Sequence, residues 1–286
     1  MLSLHTNNAS LSAQNSIAKT QAQLSTSMTR LSTGFRINSA MDDAAGLQIA
    51  TRLKAQTSGM TVAMSNTQNS TSMLQTAEGA FNEVTNMLVR MKDLATQAAD
   101  VSSTVNDKTA MQAEFDALGK ELSNVMTKTT FGGSGLLVGG TLGAAMTFQI
   151  GASAGEQMTL DVAAKMTALD TALGTATGTY STPATPGVEI ATGTAANGTI
   201  TKLANLIDNV GEIRSALGAT ANRLDHINSN LSNIATNTKA ATGRIMDVDF
   251  ATESSNMTSS QMLLQAGTAM LKQSNSMSSM VMSLLQ

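Results

Sequence analysis

The sequence predicts a mainly α protein, a long antiparallel coiled-coil helix bundle drawn out as a rod, with a small β-hairpin region. Three observations carry that class. Apolar residues step by three and four along several long stretches, the spacing of one helix face. Only two prolines, Pro183 and Pro186, occur in 286 residues, so helices can run unbroken nearly everywhere. Aromatic residues make up 2% of the chain, six Phe and one Tyr, which removes the large side chains that anchor a globular core or a ligand pocket.

Taken in order, the first helix lies between Leu11 and Phe35. Ile17, Leu24 and Leu31 repeat every seven residues there, and Met28 and Phe35 follow four residues after the last two. Gly34 stands where a left-handed residue would end this helix, while Asn38-Ser39 and Asp42-Asp43 supply a cap and acids for the next, so a break is expected near residues 34–43. The cleanest seam follows in Leu74, Ala77, Phe81, Val84, Leu88, Met91, Ala95 and Ala98. A helix from about Met60 to Ala99 would be about 60 Å long, too long for a compact domain.

After a polar stretch from Val101 to Asp107, a shorter seam of Met111, Phe115, Leu118, Leu122 and Val125 is expected to fold back antiparallel. Val210, Ile213, Leu217, Leu224, Ile227, Leu231 and Ile234 repeat the stepping, with polar Thr220 inside it, and three seams imply a three-helix bundle. Phe250, Met257, Leu264 and Leu271, again seven apart, mirror the first helix.

Between the halves the composition changes. Phe148/Ile150 and Met158/Leu160 flank Gly151-Ala152-Ser153-Ala154-Gly155, which reads as a β-hairpin. Residues 173–197 are Thr, Ala, Gly and Pro with few large apolar groups, so they are expected to form an exposed and poorly structured tip. The chain therefore divides into an N-terminal helix and connector (1–40), N-terminal rod helices (41–130), hairpin and short variable tip (131–198), a C-terminal rod helix (199–245) and a C-terminal helix (246–286).

Charge and composition exclude several function classes. Seventeen basic and twenty acidic residues leave a formal charge of −3, which disfavours nucleic acid. No run of about eighteen apolar residues predicts membrane insertion, and the N-terminus lacks the basic and apolar regions of a secretory signal. Without cysteine there are no disulfides, thiolate metal sites or Cys nucleophiles. His5 and His226 are far apart in sequence, and Gly133-Ser134-Gly135 lacks the third glycine of a dinucleotide loop. Asp42 and Asp43 point about 100° apart on a helix and cannot flank one bond. No enzyme, cofactor or metal is expected. The two aspartates are read instead as a cap and as inter-subunit acids near Arg30 and Arg36.

The terminal segments carry few charges; residues 251–286 hold only Glu253 and Lys272. Helices so uncharged and weakly apolar are poorly stable alone, so the two ends either pack on each other within one chain or fold only when subunits associate, the second being the expectation. A membrane-active amphipathic protein would need Lys/Arg-rich faces that they lack.

The run Arg30-Leu-Ser-Thr-Gly-Phe-Arg-Ile-Asn-Ser-Ala-Met-Asp-Asp-Ala-Ala-Gly-Leu47 closely resembles the hallmark segment of bacterial flagellins. GATANRLDHINSNL, GRIMDVDFATESSNM and LLQAGTAMLKQSN, from Leu217 onward, are similar to the C-terminal half of that family. The resemblance covers roughly residues 1–165 and 199–286. It implies a structural subunit that self-assembles into the extracellular bacterial flagellar filament used for motility, a helical homopolymer. It also implies a filament-core coiled coil of Ile17, Leu24 and Leu31 with Phe250, Met257, Leu264 and Leu271, and a connector containing Arg30, Arg36, Asp42 and Asp43. A switch would lie near Thr147–Leu160, with Gly151 and Gly155 supplying compliance. With no large central insert, the filament would be slim.

Further implications concern partners. The resemblance implies export by the flagellar type III route, with cap and hook-junction proteins at the filament ends. A flagellar export chaperone would cover the C-terminal helix, whose Met-rich face (Met257, Met262, Met270, Met277, Met280, Met282) suits a partner that must be released or, equally, core filler in the polymer. The motif by which Toll-like receptor 5 docks on flagellins falls on Arg90, Leu94 and Glu114. Arg90 and Leu94 lie one turn apart and off the Leu88, Met91, Ala95 seam, so both are expected to project outward, on the face also assigned to axial subunit contacts. The alternative is the hook–filament junction protein, which shares the terminal helices but matches the Arg30–Leu47 segment less fully.

Overall fold

The computed structural model describes residues 7–183 and 186–284. His5 and the side chains of Met280 and Met282 lie outside the described residues. The helices are α1 (Asn8–Thr33), α2 (Ala44–Ala99), α3 (Val105–Lys128), α4 (Ala163–Ala176), the single turn α5 (Gly178–Ser181), α6 (Gly193–Met246) and α7 (Phe250–Leu284). Two antiparallel strand pairs, β1 (Thr130–Phe131) with β2 (Ser134–Gly135) and β3 (Met146–Gln149) with β4 (Gln157–Leu160), complete a mainly α chain. Two units emerge, residues 1–57 with 236–286 and residues 58–235, and α2 and α6 each contribute to both.

In the unit of residues 58–235 the α2 seam from Leu74 to Ala98 is buried throughout. Phe115, Gly119, Leu122 and Met126 of α3 are buried with it, while Met111, Leu118 and Val125 are half-buried. The inward face of α3 is thus turned about one residue from the expected stripe. α3 starts at Val105 because Thr104 and Asp107 cap each other's backbone N–H groups, at 2.9 and 3.3 Å.

On α6, Val210, Ile213, Leu217, Leu224 and Leu231 are buried, and so is Thr220, whose hydroxyl donates to the Ala216 carbonyl at 2.8 Å and so needs no partner across the seam. Ile227 is half-buried. Ile234 instead stands 39% exposed, and Ala235 takes its place beside Met60 and Ala63. A straight helix drifts against a strict seven-residue repeat, so by the end of the seam the inward position has moved on by one. The helix also begins at Gly193, ahead of the boundary expected at residue 199.

The β3/β4 hairpin pairs Met146 with Leu160 and Phe148 with Met158, burying those four and exposing Thr147 and Thr159. The smaller β1/β2 hairpin, not foreseen, turns on Gly132 and Gly133, whose φ of 59° and 85° other residues rarely adopt.

Residues 173–197 depart most from expectation. Leu173, Ala176, Thr177, Thr179, Tyr180 and Ile190 are buried, so the described part of this segment is packed and not an open tip. Hydrogen bonds hold it where apolar area is scarce. Gln112 of α3 donates from Nε2 to Asp116 Oδ1 at 2.8 Å and to Glu189 Oε2 at 2.9 Å, and its Oε1 accepts from the Ile190 N–H at 2.9 Å. The Gly178 N–H donates to Glu189 Oε1 and the Gly187 N–H to Asp116 Oδ2, at 2.6 and 3.0 Å. Tyr180 donates to Asp170 at 2.5 Å, and burial with that carboxylate raises its pKa, keeping it a donor. Thr177 and Thr179 share a 2.8 Å hydroxyl contact over Gly119, where a Cβ would collide with the Thr179 hydroxyl and lie 2.6 Å from that of Thr177.

Gly119→Ala is therefore expected to destabilise by about 1–3 kcal/mol, although alanine favours an exposed helix by about 1 kcal/mol. Denaturant unfolding of the two proteins checks the sign.

Candidate assembly surfaces

In the unit formed by the chain ends, α1 and α7 pair antiparallel, and their register follows from three contacts. Asn7, which caps α1 by accepting from the Ser10 N–H at 3.1 Å, donates to the Ser274 carbonyl at 3.2 Å. A Cβ on Gly267 would lie 2.9 Å from Ile17 Cγ1. Arg30 Nη1 lies 3.7 Å from Glu253 Oε2. The less exposed positions are Ser10, Ala13, Ile17, Thr20, Leu24, Ser27 and Leu31 on α1, and Glu253, Met257, Ser260, Leu264, Gly267, Leu271 and Ser274 on α7. Extending the register sets Leu24 opposite Ser260 and Met257 opposite Ser27, a large side chain facing a small one layer after layer.

Ile17, Leu24, Leu31, Met257, Leu264 and Leu271 thus occupy the seam, all half-buried. Phe250 does not. It opens α7 beyond the last turn of α1, lies over Gly34 and stays 56% exposed, because no helix remains to cover it.

Outside the seam these helices carry open apolar groups, including Leu11 at 62%, Met28 at 55%, Met262 at 59% and Leu263 at 60% exposure. All four threonines of α1 (Thr20, Thr26, Thr29, Thr33) donate to the carbonyl four residues back, at 2.9 to 3.1 Å. Their hydroxyls are already satisfied, so covering them costs little.

The connector is built on Gly34, whose φ of 74° ends α1. Beyond it the Arg36 N–H donates to the Met246 carbonyl at 2.7 Å and the Val248 N–H to the Gly34 carbonyl at 3.0 Å, a bridge between the two chain directions. Arg36 donates through Nη2 to the Ile245 carbonyl at 3.0 Å. Asp42 accepts from the Ser39 and Asn38 N–H groups at 2.9 and 3.0 Å and faces Arg30 Nη2 at 3.9 Å. Asp43, not Asn38 or Ser39, caps α2 by accepting from the Gly46 N–H at 2.8 Å. Both aspartates thus carry intramolecular roles, and Arg36 pairs with a carbonyl rather than with either of them. Ile37 is buried against Gly46.

Arg90 Nε and Nη2 of α2 donate to Glu114 Oε1 of α3 at 2.8 and 2.6 Å, with the two side chains 50% and 46% exposed. Leu94 does not project beside them; it is 2% exposed within the core. The buried stripe of α2 here is wider than a two-position seam and takes in the position before Ala95.

At the hairpin tip neither Gly151 nor Gly155 uses the left-handed region. Gly151 provides space, since a Cβ there would collide with the Glu156 carboxylate that accepts from the Ser153 N–H at 2.8 Å. Around Gly155 there is open room. The residue missed is Gly59 of α2, where a Cβ would come within 2.8 Å of Ala152 Cβ; a glycine inside a long helix, at a cost of about 1 kcal/mol, was its signal.

Two outcomes follow. The two N–H donors of Ser39 and Asn38 hold the Asp42 carboxyl below its usual range, so its contribution is complete above about pH 4 and is lost as pH falls through the lowered value. Protection of the Asn38 and Ser39 amides against exchange, relative to an unstructured chain at the same pH, should fall only in that acid range. Leu94→Ala should cost about 2–5 kcal/mol as a cavity. Thermal melts check this, and Arg90→Ala, at an exposed pair, should leave them nearly unchanged.

Among the described residues no three His, Cys, Asp or Glu side chains cluster to hold a metal, and no helix is long and apolar enough to cross a membrane. Residues 4–141 match the bacterial flagellin N-terminal helical region and residues 200–285 the bacterial flagellin C-terminal helical region. Flagellin A of Vibrio cholerae is 35% identical with all of both chains covered, and a flagellin of Halalkalibacterium halodurans is 38% identical over 91% of this chain and 90% of its own. Among solved structures, a Vibrio parahaemolyticus protein described as a flagellar hook-associated protein superposes with a TM-score of 0.54 at 16% identity, covering 72% of this chain and all of its own, which shows the fold alone. With both helical regions matched and full-length relatives above 30% identity, the chain belongs to the bacterial flagellin family.

Proposed function

We propose that this filament subunit, structural and extracellular as its family is, joins its copies through the α1/α7 pair. The observation that carries this is the outer surface of that pair, which combines open Leu and Met side chains, self-satisfied threonine hydroxyls and few charges. Such a surface gains by being covered and loses little. Different patches meeting head to tail give contacts that need not close, hence an open helical polymer. Export by the flagellar type III route, a chaperone on the Met-bearing face of α7, and cap and hook-junction partners belong to the same reading.

Removing residues 1–35 or 251–286 should leave a soluble helical protein that no longer polymerises. Sedimentation with circular dichroism checks it, and filaments from either truncated chain would sink the proposal.

The exposed Arg90–Glu114 pair supports a second role as a ligand of Toll-like receptor 5, at a surface shared with axial subunit contacts. Leu94 would act there only by packing α2 beneath Arg90. Monomer should activate receptor-reporter cells and intact filament should not. Arg90→Ala should raise the half-maximal dose about tenfold with an unchanged melt; an unshifted dose–response would return the pair to filament contacts alone.

A further inference from the structure

The chain has twenty methionines and no cysteine, so sulfur oxidation can fall only on thioethers. Their exposure divides between the two units. All ten methionines between residues 58 and 235 are buried or half-buried, Met91 and Met126 completely. In the other unit Met28, Met41, Met262, Met270 and Met277 are 55%, 97%, 59%, 66% and 53% exposed. Every open methionine among the described residues therefore lies on α1, the connector or α7. Met270 and Met277 continue a line from Leu263 at intervals of seven, directly beside the seam residues Leu264 and Leu271.

We propose that these five methionines are modification sites for a peroxide-class oxidant, and that oxidation of the four on α1 and α7 blocks assembly of the free subunit. The thioether sulfur attacks one oxygen of hydrogen peroxide and the O–O bond breaks. An S=O bond forms, sulfur gives up two electrons, and the second oxygen leaves as water. Thioether sulfur carries no proton to lose, so selectivity follows access of the oxidant. The product is a polar acceptor where an apolar, adaptable group stood. At Met28, Met262, Met270 and Met277 it would have to be buried without a donor when copies pack together, which is unfavourable. Met41 stands outside both helices, so its oxidation leaves assembly unchanged. The block, though not the identity of the sites, rests on the reading that α1 and α7 are the joining surface.

The test treats purified full-length monomer with graded hydrogen peroxide and follows each methionine by peptide mass mapping, the fold by circular dichroism, and polymer by sedimentation. The five open sites should fill before any of the ten in residues 58–235, and the critical concentration for polymerisation should rise about tenfold or more while the melt of residues 58–235 persists. A variant carrying Met28→Leu, Met262→Leu, Met270→Leu and Met277→Leu, which keeps Met41, should polymerise regardless of peroxide. A methionine sulfoxide reductase should restore the oxidised wild type, a readout that stands even if the Leu variant polymerises poorly. Oxidation spread evenly over both units would overturn the site assignment. Oxidised wild type polymerising at an unchanged critical concentration, or failing to recover when fully reduced, would overturn the block. If truncation of α1 or α7 leaves polymerisation intact, the joining surface is wrong, and the mass map still decides the sites.

Discussion

The contact on which the terminal unit depends is the antiparallel fit of large side chains on small ones between α1 and α7. Ile17 sits where Gly267 has no Cβ, and the same register carries Leu24 to Ser260 and Met257 to Ser27. Small partners bring the two helices close, but they also leave little apolar area inside the pair. The large seam residues remain half-buried as a result, and the pair is stabilised by packing that is modest for two helices of this length. Arg30 adds orientation more than energy. Its guanidinium stands 3.7 and 3.9 Å from Glu253 and Asp42, longer than hydrogen bonds, and its Nε is buried without a hydrogen-bond partner. A pair built this way still has apolar surface to cover, and on the proposed reading that surface is what joining copies would bury.

Residues 58–235 solve a different problem. There the seam of α2, the inward faces of α3 and α6 and the β3/β4 hairpin form one continuous apolar core. The segment that follows α4 is too poor in large side chains to join that core by area alone. Gln112 serves as the organising group instead, because its amide offers donors to two carboxylates and an acceptor to the Ile190 N–H. Each carboxylate in turn takes a glycine N–H, so the buried polar groups satisfy one another.

The surfaces proposed for assembly and for the receptor differ in kind. The terminal helices present open Leu and Met side chains and, on α1, threonine hydroxyls whose hydrogen bonds are already made within the helix. The Arg90–Glu114 pair presents charges that are half in water and bonded to each other, chemistry suited to specificity more than to strength. Membership of the flagellin family accounts for the filament role of the chain.

By itself the sequence determined the helical class, the α2 seam, the β3/β4 hairpin and the break at Gly34, because each rests on a local period or on one residue's backbone preference. The heptads of α1 and α7 were likewise legible in Ile17, Leu24 and Leu31 and in Met257, Leu264 and Leu271. What only the tertiary structure decided concerns neighbours that lie far apart along the chain. Leu94 is covered because α2 buries a wider face than its two-position repeat indicates, and Phe250 is open because α1 has ended before reaching it. The described part of residues 173–197 packs because Gln112 and Asp116 meet Gly187, Glu189 and Ile190 across 71 to 78 positions of chain with the right acceptors and donors, and hydrogen-bond complementarity of that range leaves no trace in composition. Gly59 and Gly119 make the same point from the side of space: a missing Cβ marks a close approach, but only the folded chain says that Ala152 and the two threonine hydroxyls are what approaches.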